Sequence, residues 1–198
     1  LHTGHLGFYT DWLSTELDQF VDSLIHDNGQ KVSYPLLELT VVRTSGESYK
    51  FLALNEAVIK QPIGTLVADI YLGGQAFERF RGDGIAVATP TGSTAYNKAN
   101  GGAVLHPSLP AIQMSEIASI NNRVFRTLGS PLIVPQDQEI VMKPKSNHFL
   151  VMYDQEEIKG HNITELRFKV SEKRGHFAQY RHVDFWRRVQ NAFISEIE

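Results

Sequence analysis

The sequence predicts an α+β protein whose main body is an antiparallel, β-sandwich-like domain with a helix near each end of the chain. Two observations carry this prediction. Apolar residues recur with helical spacing near both ends, whereas between residues 31 and 182 they recur with a period of two. Turn signals follow every ten residues or so, which is typical of layered antiparallel sheets rather than of βαβ units. We therefore divide the chain at 1–30, 31–182 and 183–198, and we expect its two ends to pack together.

The first helix is predicted from Leu17, Phe20, Val21, Leu24 and Ile25, which fall on one apolar stripe. Asn28 and Gly29 mark its end, and we expect a packing helix without chemistry. The last helix is predicted from a similar stripe. Its residues are Val183, Trp186, Val189, Phe193 and Ile194.

The central strands are predicted from alternation and from glycine turns. Leu37, Leu39 and Val41 alternate with more polar residues, and hairpin turns are expected at 45–46 and 73–74. A short apolar strand is expected at 84–88. Other extended runs lie at 49–54, 57–60, 65–72, 75–80, 123–128, 132–134, 139–143, 149–153, 163–170 and 177–181.

Composition excludes several classes of function. The 198 residues carry a net charge of −3 with acids and bases interspersed, so no basic footprint for nucleic acid is present. With no cysteine, a zinc–thiolate site and a disulfide framework are excluded. No apolar run is long enough to cross a bilayer. We expect a cytoplasmic protein without nucleic-acid or membrane partners.

The turn at residues 89–98 is the strongest candidate for a site. Pro90 and Gly92 break the preceding strand, and Ser93 or Thr94 is expected to cap a short helix that Gly101–Gly102 closes. Such a turn would leave unpaired N–H groups that favour a phosphate, and Tyr96 offers an aromatic face for a flat ring. The alternative is that the segment is a simple connection.

Two further polar groups interrupt apolar runs. Asn55–Glu56 would pair with sugar hydroxyls, or it forms a solvated bend at a strand edge. Arg81 and Asp83 form a surface ion pair, or Asp83 accepts hydrogen bonds from an amide or a ribose. The eight histidines show no metal-ligand spacing, and Gly92–Tyr96 lacks the second glycine of a hydrolase nucleophile elbow. No metal site is predicted.

Several segments in order resemble the NAD kinases, particularly the compact bacterial kind. They are HTGHLGFYTDW, LNE, ERFRGDG, TPTGSTAYNKANGG, ASINNR, GSPL and FWRRVQNAFI. The resemblance implies that 1–30 is the remnant of an N-terminal α/β domain and that 31–182 is the NAD-binding domain, with 183–198 returning to the first part. It also implies transfer of the terminal phosphate of ATP, or of polyphosphate, to the adenosine 2′-hydroxyl of NAD, with a divalent metal (Mg) and NADP as product.

The resemblance further implies a set of substrate-binding residues. Asn55 and Glu56 would hold the ribose and phosphate region, Thr91, Thr94 and Ala95 would line the adenine end, and Tyr96 would pack on the dinucleotide. Arg81, Asp83 and Ala118 would lie near the nicotinamide half, in part across a subunit interface of a dimer or tetramer. Gln155 would close the pocket. Asn97, Lys98 and Ala99 complete the turn, and Ala99 replaces a serine common in the family.

The family's GGDGT motif, with its proposed base, does not occur in these residues. We expect it upstream of Leu1, and we expect the present stretch to be inactive without it. Two alternatives remain open at this point: a non-catalytic dinucleotide-binding or oligomerisation module, and a lipid kinase of the diacylglycerol or sphingosine type.

Overall fold

A computed structural model of the chain describes residues 1, 7–146, 148–158 and 161–194. The helices are a 3₁₀ helix at Ser14–Glu16, α1 at Leu17–Ile25, a 3₁₀ helix at Gly92–Thr94, α2 at Tyr96–Ala99 and α3 at Phe185–Phe193. The first six strands are β1 Lys31–Arg43, β2 Ser48–Ala53, β3 Glu56–Lys60, β4 Leu66–Leu72, β5 Gln75–Gly82 and β6 Gly84–Ala88. The other six are β7 Ala111–Ile117, β8 Leu132–Pro135, β9 Ile140–Pro144, β10 Leu150–Tyr153, β11 Glu156–Ile158 and β12 Ile163–Ala178.

The strands form two six-stranded sheets. The first has the order β2-β1-β12-β9-β4-β5, and the second has the order β11-β10-β3-β6-β7-β8. The pairs β1–β2, β9–β12, β4–β9 and β4–β5 of the first sheet are antiparallel. All five neighbouring pairs of the second sheet are antiparallel too. The predicted antiparallel, sandwich-like class is confirmed.

One hydrophobic core lies between the two sheets. Leu37 and Phe168 of the first sheet and Ile59 and Ile85 of the second are almost fully buried in it. Removing apolar surface from water in this way stabilises the sandwich by about 25 cal/mol per Å². The alternation of buried and more exposed residues along β1, which predicted that strand, follows from its single buried face.

The predicted strands differ from the structure in three places. Residues 123–128 form no strand, because the side chain of Asn122 accepts the N–H groups of Val124 and Phe125 and folds the chain into a turn. Strand β7, at Ala111–Ile117, was not predicted. Its first five residues are all buried, so it lacks the alternation that marks a strand with one solvated face. The predicted runs 163–170 and 177–181 also prove to share one strand, β12, which ends at Ala178.

The chain divides into two structural units. One contains Tyr34–Gly175, and the other combines the described residues up to Ser33 with those from His176 onward. The predicted domain limits at 30/31 and 182/183 stay predictions.

In the unit formed by the chain ends, Arg188 of α3 is buried. Its guanidinium forms an ion pair with Asp11 at 2.5 Å and donates to the carbonyl of Phe8 at 3.0 Å. Phe8 also packs against Phe185 and Phe193 of the same helix. The predicted packing of the last helix against the first part of the chain is therefore present within this unit.

The predicted first helix forms as α1, but its apolar stripe is largely exposed. Leu17, Leu24 and Ile25 are 48%, 49% and 73% exposed, respectively. Phe20 is the member of the stripe that packs, against Trp12 and Tyr180. None of the described helices is long and apolar enough to cross a membrane.

Candidate functional site

The bend between β2 and β3 is fixed against the turn that follows β6. The backbone N–H of Thr89 donates to the carbonyl of Asn55 at 2.8 Å, and the Thr89 hydroxyl donates to the carbonyl of Leu54 at 2.6 Å. The same hydroxyl accepts the N–H of Gly92 at 3.0 Å. Antiparallel pairing of β3 with β6, in which Glu56 lies opposite Ala88, brings the two segments to the same edge. The Asn55–Glu56 pair and the turn leading to Tyr96 are thus held together.

The other side of this bend is held by Asp154. Its carboxylate accepts the backbone N–H groups of Leu54 at 2.8 Å, of Asn55 at 2.8 Å and of Glu56 at 3.2 Å. In return, the N–H of Asp154 donates to the carbonyl of Glu56 at 2.9 Å. Because β10 pairs with β3, Asp154 and its neighbour Gln155 lie directly beside the bend.

Glu56 is a partly buried carboxyl group with spare capacity to accept hydrogen bonds. Its Oε2 atom is buried and has no hydrogen-bond partner among the described residues. Burial, with a smaller contribution from the negative charge of Asp154, raises the pKa of Glu56 to about 7. A buried carboxylate oxygen without a donor is costly, and a ligand hydroxyl in this position would satisfy it.

The interior of the turn differs from the sequence prediction. The N–H groups of Gly92, Ser93 and Ala95 are already bonded, to Thr89, Pro90 and Gly92 respectively. The prediction that the turn leaves a cradle of free N–H groups for a phosphate was therefore wrong for these three positions.

The predicted helix cap was also wrong. The N-cap of α2 is Ala95, and no side chain caps this helix. Ser93 instead has a structural role: its buried hydroxyl donates to Pro90 at 2.6 Å and accepts the N–H of Leu105 at 2.9 Å.

Thr91 and Asn97 are buried polar residues of this turn. The hydroxyl of Thr91 and the Nδ2 atom of Asn97 have no hydrogen-bond partner among the described residues. The Oδ1 atom of Asn97 accepts a hydrogen bond from Ser115 at 2.6 Å, which fixes its side chain. A Cβ at Gly102 would overlap the Asn97 amide, so glycine is required there by close approach.

The remaining residues of the turn are more accessible. Tyr96 and Thr94 are half-buried, whereas Ala95, Lys98 and Ala99 are exposed. The ammonium group of Lys60 lies 5.5 Å from the centre of the Tyr96 ring, within reach of a cation–π interaction. The Lys60 ammonium group is thus a cation placed beside the Tyr96 ring by the protein itself.

Arg81, Asp83 and Ala118 lie together at the opposite end of β6. Strand geometry places this end about 13 Å from Ala88. The N–H of Asp83 donates to the carbonyl of Ile117, and the carbonyl of Arg81 accepts the N–H of Ile120. Ala118 has a φ of 46°, unusual for a residue with a Cβ. The Arg81 guanidinium stacks on Phe125 at 4.1 Å from the ring centre. The site residues predicted from the sequence therefore form two groups.

A pair of glutamates holds the loop next to this second group. Glu78 accepts the N–H of Leu128 at 2.8 Å, and Glu116 accepts the hydroxyl of Thr127 at 2.8 Å. Burial, together with the neighbouring Glu116 carboxylate, raises the pKa of Glu78 to about 7. Both glutamates were missed by the sequence analysis.

Sequence reasoning also missed Asp154, Thr89 as a bridging residue, and Lys60. Asp154 precedes the predicted Gln155 and ends an apolar strand, but only strand pairing shows that it reaches residue 54.

Among the described residues there is no group of three or more His, Asp or Glu side chains that would hold a metal. His2 and His5 lie outside the described residues.

The antiparallel sandwich, with a strand-edge bend and a turn that both carry unpaired buried polar atoms, places the chain among β-sandwich domains with a candidate site for a polar ligand. Comparisons with known proteins identify its family. Residues 54–180 match the family model described as the ATP-NAD kinase C-terminal domain. The chain belongs to the NAD kinase family.

Close relatives share nearly the whole chain. An NAD kinase of Leuconostoc citreum is 81% identical over 198 residues, which is 100% of this chain and 75% of the relative. An NAD kinase of Lactobacillus gasseri is 52% identical over 197 residues, covering 99% of this chain and 74% of the relative.

Two solved structures share the fold. Yeast NADH kinase complexed with NADH has a TM-score of 0.81 at 25% identity, covering 98% of this chain and 58% of that protein. An NAD kinase from Archaeoglobus fulgidus in complex with ATP has a TM-score of 0.73 at 23% identity, covering 96% of this chain and 70% of that protein.

Proposed function

We propose that this chain supplies the NAD-binding domain of an enzyme that phosphorylates the adenosine 2′-hydroxyl of NAD with ATP to form NADP. The observation that carries the proposal is the junction of the Asn55–Glu56 bend with the turn before Tyr96, both fixed by Thr89. At this junction a buried Glu56 oxygen lacks a donor among the described residues. Because the chain belongs to the NAD kinase family, the ligand that we propose for this junction is the dinucleotide NAD.

Each group at the junction has a role that its chemistry allows. The Glu56 carboxylate would accept hydrogen bonds from ribose hydroxyls, and the Asn55 amide would both donate and accept. Tyr96 would offer its remaining ring surface to a base. The adenine end would be lined by the other residues of the turn, namely Thr91, Thr94, Ala95, Asn97, Lys98 and Ala99. Gln155 would close the pocket beside Asp154. These residues bind and orient the acceptor, which is a large part of what phosphoryl transfer requires.

The second group, Arg81, Asp83 and Ala118, would act at the nicotinamide half of a dinucleotide. They lie at the Gly84 end of β6, and strand geometry places Gly84 about 13 Å from Ala88, the residue that pairs with Glu56. We propose that they serve a site completed by another copy of the chain, in a dimer or tetramer. This homo-oligomeric state and the cytoplasmic location stay predictions.

Magnesium is the expected companion of ATP in this reaction. The described residues offer no cluster of three or more carboxylates or histidines for it, so they do not fit a resident metal. The aspartate of the GGDGT motif, expected to act as base, is not among the 198 residues. In this proposal the described residues bind the acceptor, and none of them removes its proton. Polyphosphate remains an alternative donor to ATP.

Isothermal titration with NAD tests the proposal. We expect Asn55→Ala and Tyr96→Ala each to weaken binding by about tenfold, the loss expected for one good hydrogen bond or stacking contact. Asp137→Asn, in the exposed turn between β8 and β9, is a matched control that should bind like the unsubstituted chain. Absence of NAD binding by the unsubstituted chain would overturn the proposal. A diacylglycerol or sphingosine acceptor in the same titration tests the lipid-kinase alternative.

A further inference from the structure

We infer that Asp154 is a positioning residue of the dinucleotide site, which holds the Asn55–Glu56 bend in its ligand-binding geometry and sets the charge of that bend. The inference rests on the proposed function, because the ligand it concerns is NAD. Asp154 itself was not among the predicted binding residues. Its neighbour Gln155 was.

The first support is the convergence of three consecutive N–H groups on one carboxylate. Leu54 donates to Oδ2, while Asn55 and Glu56 donate to Oδ1. Three successive N–H groups directed at one point form a small anion-binding concavity, and here the anion is supplied by the protein. Hydrogen bonds to an ionised acceptor are about twice as strong as neutral ones. The backbone of the bend is thereby fixed without using the side chains of Asn55 and Glu56.

The second support is the backbone of Asp154, which has a φ of 48° in the left-handed region. Asp154 and Gln155 form the two-residue connection between β10 and β11, since Tyr153 pairs with Glu156. Aspartate and asparagine tolerate this conformation better than other residues with a Cβ. The turn therefore directs the Asp154 carboxylate to the bend and, at the same time, places Gln155 next to it.

The third support is the position of the bend between two clamps. Asp154 holds its N–H groups, and Thr89 holds its carbonyl groups at Leu54 and Asn55. Loss of Asp154 would leave three N–H groups to solvent and would free the bend on one side only. The side chain of Glu56 would then lose its fixed direction, while the pairing of β3 with β6 would persist.

The charge of Asp154 has a separate effect on Glu56. It is the charged group that acts on the Glu56 carboxyl and adds to the burial that raises the Glu56 pKa. Asparagine at 154 would keep the turn conformation and the size of the side chain, but it would remove this charge. Asp154→Asn therefore separates the effect of the Asp154 charge from the effect of the turn conformation.

The test compares Asp154→Asn and Asp154→Ala with the control Asp137→Asn. Hydrogen exchange of the free chains is measured first, and it does not depend on NAD. We expect faster exchange at the N–H groups of Leu54, Asn55 and Glu56 in both Asp154 variants, with unchanged protection in β6 and β7. Unchanged exchange at these three positions would overturn the inference, whatever the ligand proves to be.

NAD titrations between pH 5.5 and 8.5, a range spanning about 1.5 units on either side of the Glu56 midpoint, give the second readout. We expect Asp154→Ala to weaken binding by about tenfold and Asp154→Asn by about threefold. Because the ionised Glu56 carboxylate is the group proposed to accept the ribose hydroxyls, binding should be lost as the pH falls through the Glu56 pKa. Asp154→Asn removes a negative charge that raises this pKa, so the pH at which binding is half-lost should move to lower values. A purely structural defect would not produce this shift. An unshifted midpoint with normal affinity would overturn the inference. Failure of the unsubstituted chain to bind NAD would instead overturn the proposed function and leave the exchange result standing.

Discussion

Gly92 lies directly against the main chain of Asn55. A Cβ added at Gly92 would overlap the carbonyl group and the Cα of Asn55, which belong to the backbone and have no rotamer to escape by. The two segments that carry the proposed site therefore approach too closely to leave room for a methyl group between them. This approach, rather than any conformational freedom, is what requires glycine at this position.

Gly92→Ala is predicted to destabilise the protein by about 3 kcal/mol, since a buried methyl group must push two hydrogen-bonded segments apart. Urea denaturation measures the effect. Gly46→Ala is a suitable control: Gly46 has a φ of 85° but open space around it, so only the backbone penalty of about 1 kcal/mol should appear. Equal stability of Gly92→Ala and the unsubstituted chain would contradict this close packing.

Glu56→Gln is predicted to flatten the dependence of stability on pH. The pKa of Glu56 is raised from 4.5 to about 7 in the folded state. Between these values the folded state holds a proton that the unfolded state has released, so stability falls as the pH rises and the loss is complete above about 7. The neutral amide introduced by the substitution cannot ionise, so the variant escapes this loss.

The gain of Glu56→Gln at pH 8 should be on the order of 1 kcal/mol, after allowance for the water that reaches the partly buried carboxyl group. Chemical denaturation at pH 5 and pH 8 measures it, with Glu157→Gln, an exposed residue of β11, as the control. The prediction fails if both variants follow the same pH dependence.

Ser115→Ala is predicted to cost about 1–2 kcal/mol, because the buried Oδ1 atom of Asn97 would lose its donor. NAD affinity should fall as well, since Asn97 then has no fixed orientation in the turn. Ser48→Ala, at an exposed position of β2, serves as the control and should change neither quantity. Thermal unfolding and NAD titration of both variants would decide the matter, and an unaltered Ser115→Ala protein would refute the role of this pair.

Arg188→Met is predicted to destabilise the unit formed by the chain ends by about 3 kcal/mol. The substitution leaves the Asp11 carboxylate, whose side chain is only 14% exposed, without its cation. Arg187→Met removes an exposed guanidinium bonded to Gln190 and should have little effect. Hydrogen exchange in α3 distinguishes the two variants. Similar protection of α3 in both would show that the buried ion pair contributes nothing measurable.

The sequence predicted those elements whose pattern is local. Alternation along Leu37, Leu39 and Val41 identified β1, and the glycine pair 73–74 identified the β4–β5 hairpin, because one face of these strands is buried and the turn has positive φ. Strand β7 escaped because both of its faces are covered. The short run around Phe125 has strand-like residues, but one hydrogen-bonding asparagine, Asn122, decides its conformation.

The same division applies to the candidate site. Asn55, Glu56 and the turn near Tyr96 were recognisable in the sequence, because polar residues interrupt apolar strands there. Asp154 was not, since its contact with Leu54 spans 100 residues and depends on the pairing of β10 with β3. The bonded state of the Gly92, Ser93 and Ala95 N–H groups likewise depends on local geometry that residue types alone do not determine.

The bend at Leu54–Glu56 is anchored on both sides through its peptide groups, by Thr89 and by Asp154. The side chains of Asn55 and Glu56 consequently take no part in holding the backbone of the bend. The Asn55 amide or the Glu56 carboxylate can be exchanged for another group while the backbone that carries it is retained. A laboratory seeking altered acceptor preference would therefore randomise positions 55, 56 and 155 together and leave 89, 92 and 154 untouched.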